Sequence, residues 1–186
     1  MLFRSFHPLP RVQIALALPL GAEADGEWMD MEFTEALDPL KLQQGLQPLL
    51  PAGITLLSVA EVPVSSPSLS QEIRAAVWSF NVELESGMTF DWSPAIAALL
   101  AADHLMWHDT DKKGRPRSRD CRSVLRRLDV LSGPECSRLR LRLEADVDSI
   151  GRSLRPSQIQ HWFEQQVSAP IALQSLKRDR LELARC

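Results

Sequence analysis

The first 64 positions change period several times. Positions 12–18, from Val12 to Leu18, form a short apolar run closed by Pro19, Leu20 and Gly21. Such a run predicts a strand buried on both faces. Positions 28–34 alternate between apolar and polar side chains, the period of a half-buried strand. Gly21 to Gly26 supplies a hairpin loop between the two. Asp38-Pro39 then opens a helix, with aspartate as N-cap and proline at the first helical position. Leu40, Leu42, Leu46, Leu49 and Leu50 give that helix its apolar face. A strand over 54–62 follows Gly53, and a serine- and proline-rich stretch over 63–70 reads as a linker.

A second cycle begins near Ala75. Positions 75–84 alternate as a strand, Ser93-Pro94 opens an alanine-rich helix, and 104–108 forms a short strand. Positions 124–128 look like one or two helical turns, and 138–143 alternate strictly between arginine and leucine. A helix over 156–167 and a strand over 171–183 complete the cycle. The order strand, helix, strand, strand, helix, strand is the ferredoxin-like split β-α-β pattern. The first cycle shows the same order without its opening strand and helix. The expected fold class is therefore α+β: two tandem ferredoxin-like split β-α-β sandwiches with mostly antiparallel sheets, the first N-terminally truncated. The expected boundaries are 1–64 for the first subdomain, 65–72 for the linker and 73–186 for the second, with a basic insertion at 111–128. A split sheet without its central first strand exposes apolar edges, so the chain is expected to be marginal in stability, to pair with another chain, or to begin at a misassigned start.

Composition narrows the picture. Hydrophobic residues make up 45% and charged residues 24% of 186, which argues for a packed globular chain over disorder. The net charge of −3 demands neither nucleic acid nor an anionic membrane. Locally the balance reverses: positions 112–127 hold eight basic side chains and one acidic one, Asp120. Three cysteines, Cys121, Cys136 and Cys186, show no CxxC spacing. An odd count without that spacing argues against a disulfide framework and for a reduced, cytoplasmic protein. The same three do not form the thiolate run that an iron–sulfur cluster needs. Arg4, Arg11 and the apolar run 12–20 outline a signal peptide, but Gln13 and Pro19 interrupt its apolar region. No apolar stretch reaches the roughly 20 residues of a membrane-spanning helix.

Three stretches carry more than fold. The first is Phe6-His7-Pro8-Leu9-Pro10-Arg11 with Pro19-Leu20-Gly21, continued by Glu27, Asp30 and Glu32. The second runs from Lys113-Gly114-Arg115 to Asp120-Cys121-Arg122, and the third is Gly151-Arg152-Ser153-Leu154-Arg155-Pro156. Together they resemble the radical SAM-linked protein family, a domain of unknown function fused to or encoded beside radical SAM proteins. The positions that match its motifs are His7, Pro8, Pro10, Arg11, Pro19, Gly21, Asp120, Arg155 and Pro156. Cys121 and Ser123 depart from the family's D-I-R-P pattern, which puts any role of that proline in doubt. The family's usual upstream segment, a strand and a helix of roughly thirty residues, has no counterpart before Ser5. The resemblance implies an accessory or substrate-recognition domain that is not itself catalytic. Its partner is a radical SAM protein in cis or in trans, and that partner carries the iron–sulfur cluster and S-adenosylmethionine. No cofactor or metal is expected in this chain.

The basic segment offers an alternative, an RNA-binding module. Lys112, Lys113, Arg115, Arg117, Arg119 and Arg122 are its phosphate-binding candidates, and Arg138, Arg140 and Arg142 extend it along one strand face. No aromatic residue interleaves the segment, so stacking of bases is not expected. His104 and His108 are four apart; on a strand that separation is about 13 Å, too far to share one ion. Cys121 lies among arginines, a setting that lowers a thiol pKa. No GxSxG, Walker loop, GxGxxG or HExxH occurs.

Overall fold

A computed structural model of the chain describes residues 11–85, 88–111, 113–148 and 152–184. The chain is a mixed α/β protein with mostly antiparallel sheets and four α-helices among these residues. It begins with strand β1 (Arg11–Ile14), the two-residue β2 (Glu23–Ala24) and β3 (Met29–Glu32). Helix α1 (Pro39–Leu46) follows, with the Asp38 carboxylate accepting from the N–H of Leu40 at 2.8 Å. A 3-10 turn, Gln47–Leu49, ends it. Helix α2 (Leu69–Glu72) is a single turn inside the segment expected to be linker. Its Leu69 is fully buried, so this turn fastens the segment to the core.

Strand β4 (Ile73–Leu84) is the long central strand. Helix α3 (Ser93–Ala101) and a hairpin of β5 (Met106–Thr110) and β6 (Pro116–Asp120) come next. Then follow β7 (Leu125–Ser132), β8 (Arg138–Asp146), helix α4 (Pro156–Val167) and β9 (Ile171–Leu183). The main sheet has the order β2-β9-β4-β8-β7. All its pairings are antiparallel except the short β2–β9 contact. Two further sheets have two strands each, β1-β3 and β5-β6.

The core lies on one face of the main sheet. Leu139, Leu141, Leu143 and Ala145 of β8 are fully buried, while Arg138, Arg140 and Arg142 alternate with them into solvent. Facing residues across β4 are Val82, Phe80, Trp78 and Ala76. Helices α3 and α4 cover this face through Leu99, Ile159 and Phe163. Each such side chain contributes roughly 1.5–3 kcal/mol by leaving water. Trp92 packs edge-on against Phe90 and Phe163, with centroids 5.1 and 5.7 Å away. Its indole N–H donates to the carbonyl of Cys136 at 2.8 Å, tying the β7–β8 loop to the helical layer.

Several expectations need correction. The 54–62 stretch forms no strand, because no neighbouring strand offers it a ladder. Without that strand the first cycle does not close as a sandwich. Among described residues 11–64 only Ala15 is buried. Strand β1 is four residues long, and Val12 and Ile14 are 45% and 58% exposed instead of buried on both faces. The turns expected over 124–128 shrink to a 3-10 turn, Arg122–Val124, after which the chain extends as β7. Pairing with β8 overrides the local helical pattern.

Candidate functional site

The second and third sequence motifs meet at the foot of the β5–β6 hairpin. Asp120 ends β6, and its Oδ1 accepts from the N–H of Leu105 and of Arg122, both at 2.9 Å. Its Oδ2 lies 2.7 Å from Nδ1 of His104. These bonds favour the carboxylate, with His104 the largest influence, and bring its pKa down to about 2. The same pair raises the pKa of His104. Arg122 reaches back to the C-terminus of α3, where Nε donates to the carbonyl of Ala102 at 2.9 Å and Nη2 to that of Leu100 at 3.3 Å. A cation there satisfies carbonyls that have no intrahelical partner and complements the helix dipole.

Cys121 sits next to this clamp and is buried. Its Sγ accepts from Nε2 of Gln158 on α4 at 3.7 Å. Gln158 Oε1 in turn accepts from the N–H of Arg155 at 2.8 Å. Arg155 is the N-cap of α4 and Pro156 its first residue, and Pro156 is buried. So Asp120-Cys121 and Arg155-Pro156 form one joint between the hairpin and α4. The arginines nearby do not activate the thiol: burial outweighs them and pushes its pKa up. A cavity of about 20 Å³ opens beside it, lined among others by Leu105, Trp107, Cys121, Gln158 and Trp162. That space is about the size of one water.

The hairpin neutralises much of its own charge. Asp109 takes Arg117 in a two-pronged pair, Nε to Oδ1 and Nη2 to Oδ2, both at 2.7 Å. Arg119 lies 3.5 Å from the same carboxylate. Arg117 is the main cause that brings Asp109 down to about 2. Asp111 accepts from the backbone of Arg115 at 3.0 Å and from its Nε at 2.7 Å, which lowers the Asp111 pKa. It also accepts from the N–H of Lys113 at 2.8 Å, shaping the loop. Farther along, Arg126 reaches Glu144, Asp146 and Glu182, and Arg127 pairs with Asp129. Arg140 and Arg142 on β8 have no ion-pair partner among the described residues. His104 bonds Asp120 and His108 bonds Ser118, and the described residues hold no cluster of three metal-ligating side chains.

The first motif lies elsewhere. His7, Pro8 and Pro10 lie outside the described residues, as do Lys112 and Gly151. Arg11 pairs with Glu32 across β1 and β3 at 3.0 Å. Pro19 and Gly21 make a turn: the N–H of Ala22 donates to the Pro19 carbonyl at 3.1 Å, and Gly21 has φ of 81°. That left-handed position in a turn favours glycine.

Sequence reasoning missed the residue that holds this motif in place. Arg178 on β9 is fully buried. Its Nε donates to Glu27 Oε1 at 2.7 Å, its Nη2 to Glu27 Oε2, and Nη2 also to the Leu16 carbonyl at 2.7 Å. The guanidinium lies over Trp78, with Cζ 5.1 Å from the ring centroid. Nη1 is buried with no hydrogen-bond partner among the described residues. Two irregularities in the β9 register, one at Val77/Trp78 and one at Ser79/Asn81, turn Arg178 toward the interior. A plain period-two count cannot see them.

This α/β scaffold, with its hairpin joint and its arginine anchor, belongs to a family of bacterial proteins. Residues 4–156 match the family described as uncharacterized protein conserved in bacteria (DUF2344), and the chain belongs to it. No curated protein and no solved structure matches the chain. No helix among the described residues is long and apolar enough to cross a membrane.

Proposed function

We propose that the chain is an accessory recognition module that works with a radical SAM enzyme and leaves the chemistry to that partner. One observation carries the recognition half of this reading: in 11–64 the apolar side chains Val12, Ile14, Met29, Phe33, Leu37, Leu40 and Leu49 are 45–78% exposed. Exposed apolar side chains in this number are surface that a partner can cover. The three-motif resemblance supports a radical SAM protein as the partner. On this reading the cluster and S-adenosylmethionine reside in the partner. The hairpin joint at Asp120, Cys121 and Arg155 then keeps the module rigid. The order β9-β4-β8-β7, with helices between β4 and β7 and between β8 and β9, supports a ferredoxin-like second half.

The test mixes the purified chain with a radical SAM protein of the same organism. The expected result is co-elution and a changed rate of 5′-deoxyadenosine formation. Turnover by the chain alone, without partner or cluster, sinks the reading.

Binding of RNA or another polyanion is a second reading. Arg140 and Arg142, without an ion-pair partner among the described residues and two apart on β8, present charges roughly 7 Å apart, a spacing a phosphate backbone can meet. Lys113 adds an exposed charge at the tip of the hairpin. The pairing of Arg115, Arg117 and Arg119 with Asp109 and Asp111 leaves less free charge than the bare sequence promises. Affinity that falls steeply with salt, and that drops in Arg140→Ala/Arg142→Ala, would support it. Affinity unchanged by alanine at these two and at Lys113, Arg115, Arg117 and Arg119 would remove it.

A further inference from the structure

On the face of the main sheet away from the helices, charges that stand opposite one another across β4, β8 and β7 differ in sign. Arg138 stands opposite Glu83, Arg142 opposite Asp129 and Glu144 opposite Arg127. The pattern stops at β7, the edge of the sheet. The outward N–H and C=O groups of β7 take no backbone partner among the described residues. Edge strands are commonly guarded by proline, lysine or a bulge. Strand β7 has neither proline nor lysine, and Arg126, Arg127, Val130, Leu131 and Ser132 on it are exposed. Its two bulges, at Arg126 and Leu131, leave residues 127–130 in regular register. Arg127 and Asp129 share one face there, with Nε donating to Oδ1 at 2.8 Å. The Nη groups of Arg127 and Oδ2 of Asp129 have no hydrogen-bond partner among the described residues, and the Arg127 side chain is 70% exposed.

We infer that the chain pairs with a second copy of itself along β7, joining the two main sheets into one. Charge selects both the occupant and the register. With the strands antiparallel about a two-fold axis through Leu128, Arg127 of each copy stands opposite Asp129 of the other. Each Arg127 then lies between Glu144 and an aspartate, and each Asp129 between Arg142 and an arginine. The alternation of the sheet continues across the axis. Sliding the strands by two residues sets Arg127 against its own copy or Asp129 against its own copy, and opposed like charges destabilise a strand pair. Sliding by one residue puts the helices of the two copies on opposite faces. Val130 and Leu131, 39% and 47% exposed at this edge, lose water in the pairing. The inference does not depend on the accessory reading, whose exposed apolar groups lie in 11–64.

Sedimentation velocity of the full chain tests this, over concentrations from about 1 to about 300 µM. Only one strand of each copy is joined, so a dimer with Kd on the order of 10–100 µM is expected. Arg127→Asp and Asp129→Arg each set like charges together across the axis and should weaken the dimer about tenfold or more. An equal mixture of these two variants restores opposite charges at both positions. It should form a heterodimer with Kd within about threefold of wild type, a recovery that damage to the fold cannot give. Arg11→Glu, away from the edge, should leave the dimer unchanged. Amide exchange at 127–130 should slow as concentration rises. A chain that stays monomeric over this range overturns the inference, and so does a dimer that Asp129→Arg leaves intact. A mixture of the two variants that stays monomeric overturns it as well. Slowed exchange at 127–130 that appears only on adding a radical SAM protein gives the edge to a different partner and overturns the self-pairing.

Discussion

Residues 11–64 and residues 69–184 are made of similar side chains used in opposite ways. The second region buries Phe80, Trp92, Phe163 and a row of leucines between a sheet and two helices. In the first region, leucines of similar number line a helix and its flank, yet none is buried. The difference is topological. In the second region every long strand finds a partner, so alternating leucines reach one common face. The first has β1 and β3, paired only to each other, and the two-residue β2 at the edge of the main sheet, which together cannot enclose a core. Apolar content therefore measures a capacity for burial, and strand partners decide whether it is realised.

Core truncation should give the largest contrast. Phe163→Ala should cost about 3–5 kcal/mol in denaturant unfolding, because Phe163 is fully buried against Trp92 and Trp162. Leu40→Ala, at 65% exposure, should stay within about 0.5 kcal/mol. Equal losses would mean that α1 packs into the core as Ala15, Leu16 and Leu18 do.

The anchor between the regions ranks next. Glu27→Ala leaves Arg178 buried without its carboxylate and should cost roughly 2–3 kcal/mol, discounted for the partial exposure of Glu27. Hydrogen exchange should quicken first at Ala15, whose N–H donates to the Trp28 carbonyl, and at Asp25, whose N–H donates to that of Arg178. The double variant Glu27→Leu/Arg178→Met should recover most of the loss. Failure to recover would place the effect in packing around Trp78.

Gly133 gives a smaller, strictly local effect. It has φ of 78°, and an added Cβ would lie 2.1 Å from the Arg138 carbonyl oxygen. Gly133→Ala should cost about 1–3 kcal/mol through strain in the β7–β8 turn. Calorimetry should register it without loosening the β1–β3 ribbon.

The smallest effect belongs to His104 and Asp120. Raised His104 means that its favourable contribution is complete below pH 6.5 and fades as pH climbs through the folded value. Asp120, lowered to about 2, contributes above pH 3.8 and loses that contribution as pH falls toward 2. The clamp is therefore strongest between these limits, and both groups are solvent-facing, so the hairpin and not global stability should report it. An NMR titration should place His104 above 6.5 in the wild type and return it toward 6.5 in Asp120→Asn.

Much of the second region was legible in the residues. The arginine–leucine alternation of 138–143 marked β8 and its wet face, and Arg155-Pro156 marked the start of α4. The aspartate–proline start of α1 was equally plain. Local chemistry settles such features: side-chain period, capping and the fixed φ of proline act over a few residues. The site was legible in pieces only. Asp120 and Arg155 stood out as separate motifs, and Gln158, which joins them through Cys121, did not.

By itself, then, the sequence determined strands β4, β8 and β9, the helix starts and the acid–base imbalance between 11–64 and the hairpin, but neither β6 nor β7. Tertiary structure alone decided three things. It left 54–62 without a strand partner, it turned Arg178 inward through the irregularities of β9, and it faced the β1–β3 ribbon outward. Each depends on which distant segment lies alongside. A period of two specifies that a strand has an apolar side, and only its neighbours specify whether that side meets the core or the solvent.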